Sequence, residues 1–224
     1  WIAVHSGRDM AAVCDWVMTQ DSPNPAGPGE VKTYLDALLK SPNPDVKGGA
    51  VVASRSLLSV WRMEERTRSS VYATAQSVVW PWADPGVAAS SKSSSVSLDW
   101  LLKASNTVYL CAPIEDQRRL SPAFGGLLND IIRQVYLRVA RTKQPLDPPL
   151  LIVVDEAGNT PLRALPEYAS TLAGLGVLLV TIWQSLAQIE ESYRGHADTI
   201  ITNHLSKVFY GGLSDPIAFR YLAQ

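Results

Sequence analysis

Apolar side chains recur at helical spacing through the first third of the chain. Met10, Val13 and Trp16-Val17 form one such stretch, and Val31, Tyr34, Leu35, Leu38 and Leu39 occupy the i, i+3, i+4, i+7 and i+8 positions of an amphipathic helix. Pro and Gly punctuate the pattern. Asp21-Ser-Pro-Asn-Pro-Ala-Gly-Pro-Gly29 reads as a loop, and Ser41-Pro-Asn-Pro44 leads into a third helix. A longer helix is expected over Leu57 to Val79, with Val71, Ala75, Val78 and Val79 on one face and Pro81 ending it. No stretch here reads convincingly as a strand, so an all-helical domain is expected. Residues 84–97 are small and polar, bury little, and read as its closing linker.

The period then changes. Thr107-Val-Tyr-Leu-Cys111, Leu150-Leu-Ile-Val-Val154, Val177-Leu-Leu-Val-Thr-Ile182 and Lys207-Val-Phe-Tyr210 are short apolar runs rich in β-branched and aromatic residues, and each predicts a strand. Helices are expected between them. One carries Phe124, Leu127, Leu128, Ile131, Val135 and Val139 on its apolar positions, a second lies near Pro166 to Ala173, and a third around Leu186 to Tyr193. Apolar strands alternating with helices predict an α/β fold with a parallel sheet covered on both faces. The expected organisation is therefore an all-helical domain over 1–95 and an α/β domain over 96–224. The uncharged stretch Ala169 to Ile189 is long enough to cross a bilayer, but Gly174, Gly176, Gln184, Ser185 and Gln188 interrupt it. Its centre reads instead as a buried strand entered through a glycine turn.

Composition narrows the function classes. The chain has 224 residues, 46% hydrophobic and 18% charged, with 14 Gly and 15 Pro, which excludes disordered, collagenous and disulfide-scaffold proteins. Its 20 basic and 21 acidic side chains give a formal charge of -1, and the balance holds on both sides of residue 95. No overall field draws it to nucleic acid or to an anionic membrane, so any polyanion site must be local. Cys14 and Cys111 lie in separate apolar segments and are expected to be reduced core thiols of a cytosolic protein. Trp1 opens the chain without a secretory signal pattern, and the sequence reads as a piece of a longer protein.

Ligands of open parallel sheets bind beyond the carboxyl ends of the strands. There, Asp155 and Glu156 directly follow the Leu150 to Val154 run. Such a pair suits phosphoryl transfer: the first acid can hold Mg²⁺ through its water shell and the second can polarise an attacking water. Helix capping is the structural alternative for the same two acids. Gln184, after the next strand, places an amide where it could touch a terminal phosphate or orient a water; a simple turn role is its alternative. No Gly-x-x-x-x-Gly-Lys-Ser/Thr loop occurs, so this stretch of chain is expected to bind nucleotide weakly or not at all. His196, Asp198 and His204 are of metal-ligating types but fit no common zinc spacing, and no Gly-x-Ser-x-Gly elbow supports a serine hydrolase.

Across Asp155-Glu-Ala157, Leu165-Pro-Glu-Tyr-Ala-Ser-Thr-Leu-Ala-Gly-Leu-Gly176, Thr181-Ile-Trp-Gln-Ser-Leu-Ala-Gln188 and Ala197-Asp-Thr-Ile-Ile-Thr-Asn-His204, the sequence resembles the TraG-like coupling proteins. These are conjugative DNA-transfer ATPases of type IV secretion systems within the FtsK/HerA motor superfamily, and the likeness covers about residues 96–224. It implies a RecA-like motor half with a Walker B motif, carrying an all-α domain on its N-terminal side. By position it makes Asp155 the Mg²⁺-associated acid, Glu156 the catalytic base and Gln184 the phosphate sensor, with ATP and Mg²⁺ as cofactors of the intact protein. Further implications are a homo-hexamer at the inner face of the cytoplasmic membrane, secretion-channel ATPases and inner-membrane components as partners, and single-stranded DNA with its relaxase as cargo docked on the all-α domain. An arginine acting in trans would have to be a residue such as Arg194 or Arg220, since the loop Ala173-Gly-Leu-Gly176 has none. The rival reading is a non-catalytic module that binds relaxosome or secreted-protein cargo through the helical domain.

Overall fold

Three helices of this protein begin with the same two-residue device. Asn43-Pro44, Asp84-Pro85 and Asp215-Pro216 each set a carboxylate or amide oxygen against the first free backbone N–H groups, followed by a Pro whose φ already suits a helix. In the computed structural model, which describes residues 1–93, 96–158, 162–211 and 215–223, the chain divides into two compact units, residues 1–95 and 96–224.

The first unit is helical: α1 (Ile2–His5), α2 (Met10–Met18), α3 (Glu30–Leu39), α4 (Pro44–Trp61), α5 (Glu65–Val79), a 3₁₀ turn (Trp80–Ala83) and α6 (Pro85–Ser90). Ala3, Trp16 and Val31 form its core with Ile2, Val13, Tyr34, Leu57 and Trp61 packed around them. A polar network holds the α2–α3 side together. The Trp16 indole N–H donates to Glu30 Oε2 at 2.7 Å, the Arg8 guanidinium pairs with Glu30 Oε1 at 3.2 Å, and Arg8 also donates to the Tyr34 hydroxyl. Chiefly the Trp16 bond, helped by Tyr34 and Arg8, holds the Glu30 carboxyl below its usual value against a smaller desolvation effect. Asp21 caps α3 from the preceding loop, accepting from Glu30 N at 3.2 Å and Val31 N at 2.7 Å.

Two expectations for this unit are corrected. The helix expected over Leu57 to Val79 is two helices, broken at Arg62–Glu64, where Glu64 turns to extended backbone and the Arg68 guanidinium caps the Trp61 carbonyl at 3.3 Å. The small-residue stretch 84–97 is not all linker, because Asp84 Oδ1 accepts from Gly86 N and Val87 N to start α6. That helix buries Ala88 and is tied to α2 by the Met10 N–H to Ser91 Oγ bond. Ser94 and Ser95 lie outside the described residues.

The second unit holds α7 (Leu98–Lys103), α8 (Ile114–Thr142), β1 (Leu150–Val154), α9 (Leu165–Thr171), a 3₁₀ turn (Leu172–Leu175), β2 (Val177–Thr181), α10 (Leu186–Ser192), α11 (Ala197–Asn203) and α12 (Pro216–Leu222). It is mostly helical around a two-stranded parallel sheet, with Leu150 opposite Val177 and Val154 opposite Thr181. Ile132 and Val135 of α8, with Tyr168 and Leu172, cover one sheet face through Leu150, Ile152 and Leu179. A second cluster, Leu162, Leu165, Ile189, Tyr193, Ala197 and Ile200, continues this core beneath the strand ends, reaching Val154 and Trp183. The glycine turn before β2 is required twice over. Gly176 has φ +78°, and a Cβ there would lie 2.5 Å from the Leu146 carbonyl oxygen.

Three further readings change here. The opposite sheet face is uncovered among the described residues: Leu151, Val153, Leu178, Val180 and Ile182 are all exposed. Thr107 to Cys111 and Lys207 to Tyr210 join no ladder; each is irregular, with Tyr109 82% and Tyr210 81% exposed. A β-type run becomes a strand only when a neighbour takes up its N–H and C=O groups, and the described sheet presents just two strands. Cys111 is exposed rather than in the core, while Cys14 is buried, and burial raises its thiol above the usual value.

Candidate functional site

At the carboxyl end of the sheet the ladder runs on past the regular strands. Ile182 N donates to the Val154 carbonyl at 2.9 Å, and Ala157 N donates to the Ile182 carbonyl at 3.0 Å. In a regular parallel ladder a residue bonds to the two neighbours of its opposite number, which here would be 154 and 156. The second bond comes one residue late, so the β1 side carries an extra residue, and Asp155-Glu156 bulges out of the strand pair. Two features fix the bulge. Glu156 takes the left-handed conformation at φ +47°, and Asp155 Oδ1 accepts the Glu156 N–H at 2.9 Å. A left-handed non-glycine residue costs of order 1–3 kcal/mol and persists only where the surroundings impose it. Here they do, since Ala157 is buried to 1% exposure directly after it. Asp155 is exposed and Glu156 half-buried.

Gln184 stands two residues beyond the Ile182 contact, exposed, at the same end of the sheet. Its own N–H donates to Gln188 Oε1 at 3.2 Å. The Gln188 side chain in turn lies over Gly158, where an added Cβ would overlap its Cγ, Cδ and Nε2. The loop bearing the acids and the loop bearing Gln184 thus share one side chain.

The first turn of α10 is fully capped. Ser185 Oγ accepts Gln188 N at 3.2 Å, and Asp215 Oδ2 accepts Leu186 N at 2.8 Å and Ala187 N at 3.3 Å while its Oδ1 caps Ile217. Partial desolvation works the other way, but the N–H groups of Ile217, Ala187, Leu186 and Ala218 together hold the Asp215 carboxyl below its usual value. A carboxylate already occupies this helix start, so it offers no free anion site. Behind Gln184, Trp183 Nε1 donates to Thr181 Oγ1 at 2.8 Å. Thr181 Oγ1 lies 3.2 Å from His204 Nε2, and His204 Nδ1 lies 2.7 Å from the Ile200 carbonyl. Since that carbonyl can only accept, Nδ1 carries a proton and a consistent donor chain runs Trp183 to Thr181 to His204 to Ile200.

The sequence-derived residues Asp155, Glu156 and Gln184 therefore follow the carboxyl ends of one strand pair. Arg194 is exposed after α10, and Arg220 is exposed on α12 with Nε donating to the Pro216 carbonyl at 3.4 Å. His204 spends both ring nitrogens on Thr181 and Ile200, and among the described residues no three His, Cys, Asp or Glu side chains converge as a metal cluster. Sequence reasoning missed Gly158, Gln188 and Asp215. Only Asp215 carried a local signal, the Asx-Pro helix start.

Comparison with curated proteins and with solved structures returns no match. A family model does match: that described as Type IV secretory system Conjugative DNA transfer spans residues 46–224, beginning in α4 and including all of the second unit. With most of its length so matched, the chain belongs to the type IV secretory system conjugative DNA transfer family.

Proposed function

We propose that the bulge after β1 and the turn after β2 form part of an ATP-hydrolysing site in a RecA-like, Walker B-bearing motor that drives conjugative transfer. The observation that carries this reading is the position of Asp155, Glu156 and Gln184 just beyond the carboxyl ends of adjacent parallel strands, where such sheets take their ligands. Family membership supplies the biological setting.

The donor set suits Mg²⁺-nucleotide. Asp155 is an exposed carboxylate that spends one acceptor position on Glu156 N and retains others for the water shell of Mg²⁺, an ion that keeps most of its waters. When bound, Mg²⁺ supplies charge neutralisation between the phosphates. Glu156, set by its left-handed backbone at the crest of the bulge, takes the role of base toward an attacking water. Gln184 orients that water or reads the terminal phosphate through its amide. The chain has no Gly-x-x-x-x-Gly-Lys-Ser/Thr loop, so the phosphate cradle comes from elsewhere in the intact protein. In the same reading the helical unit docks relaxase-bound single-stranded DNA cargo. The motor works as a homo-hexamer against inner-membrane and channel components, from the cytoplasmic side. No helix among the described residues is long and apolar enough to cross a membrane.

Steady-state hydrolysis by the full-length protein tests the roles separately. Asp155→Asn should raise the Mg²⁺ concentration for half-maximal rate by about tenfold or more, as loss of an outer-sphere partner does. Gln184→Ala should lower kcat by about 100-fold with little change in KM. Wild-type kinetics in both variants would overturn the reading and leave the non-catalytic cargo module.

A further inference from the structure

We infer that Gln188 is a positioning residue that locks Gln184 to the Asp155–Gly158 segment, which holds the bulge, so that the two loops keep one relative geometry. For its kinetic consequence this rests on the hydrolysis reading above; the lock itself does not.

Three observations converge on this side chain. Its Oε1 accepts the Gln184 N–H at 3.2 Å, fixing the backbone from which the Gln184 amide projects. Its aliphatic and amide carbons fill the space that any Cβ at position 158 would need, so the end of the bulge is shaped around it. Its own backbone N–H is held by Ser185 Oγ at 3.2 Å, on a helix whose preceding amides are capped by Asp215. Gln188 therefore sits on a capped start of α10 and reaches back over both loops. No positive φ constrains Gly158, and a Cβ there would force the Gln188 side chain aside. A side chain that bonds one loop and packs on the other transmits a shift in either, which is how supporting residues set reacting groups.

The lock is measurable in the 224-residue chain without nucleotide. Gln188→Met keeps the shape and removes the acceptor, and it should speed amide exchange at Gln184 by about tenfold, whereas Gln188→Glu keeps the acceptor and should leave that exchange near wild type. Gly158→Ala should speed the same amide by displacing Gln188, and adding Gln188→Ala to it should produce no further increase, because both changes break one contact. In the full-length protein Gln188→Met should lower kcat for ATP hydrolysis about tenfold with KM and melting temperature unchanged, a split that loss of packing alone does not give. Unchanged exchange at Gln184 in Gln188→Met, or additive effects of the two substitutions, overturns the lock while leaving the hydrolysis reading standing. Faster exchange with unaltered hydrolysis upholds the lock and counts against the catalytic role of the site it joins.

Discussion

Tyr193 shows how one buried polar group sets a pH limit. Its hydroxyl donates to the Leu162 carbonyl at 2.9 Å within the core beneath the strand ends. Burial pushes its pKa up to about 12. The folded state therefore holds this proton more tightly than the unfolded chain, whose tyrosines titrate near about 10. Its contribution is complete below about pH 10 and is lost as pH rises toward about 12. Thermal melts across that window should fall more steeply for the wild type than for Tyr193→Phe. At neutral pH the same substitution should cost about 1 kcal/mol, because the Leu162 carbonyl loses its partner. Asp215 has the opposite sign. Its carboxyl is held low in the folded state, so its stabilisation is present above about pH 4 and fades as pH falls through the folded value. Asp215→Asn should lower the melting temperature at pH 7, and the gap to wild type should close in melts as the pH falls through the folded value. Tyr193 did not stand out in the sequence, because its partner lies 31 residues away along the chain; Asp215 showed only its local helix start, not its reach to α10.

Among the elements, those whose signal is local were legible. The i, i+3, i+4 pattern from Val31 to Leu39 is α3, the apolar runs at Leu150 and Val177 are β1 and β2, and the stripe from Phe124 to Val139 lies on α8. Gly176 was legible as a turn, and Gly176→Ala should destabilise by about 2 kcal/mol or more, combining a strained φ with a clash against Leu146 backbone; a denaturant melt checks it. Elements that depend on distant partners were not legible. No Pro or Gly marks Arg62–Glu64, yet the helix stops there under the Arg68 cap. Thr107 to Cys111 and Lys207 to Tyr210 have strand composition, but composition cannot supply the neighbouring backbone. The Asp84-Pro85 start of α6 was local and available, and small-residue content obscured it. At the site, the position of the acids after a strand could be read, whereas the extra residue in the bulge and the Gln188 bridge follow from tertiary register.

On the scale of the whole molecule, the second unit carries a sheet with one face packed on α8 and α9 and the other bearing five exposed aliphatic side chains. Its candidate site residues sit at the strand ends, and its chain belongs to the type IV secretory system conjugative DNA transfer family. In the proposed function, Glu156 in the bulge activates water for ATP hydrolysis in the intact motor. Glu156→Gln preserves shape and removes the base, so it tests that claim most directly. In the full-length protein the substitution should reduce ATP hydrolysis by at least about 100-fold while equilibrium ATP binding stays within about twofold of wild type. Hydrolysis at the wild-type rate would rule out Glu156 as the base.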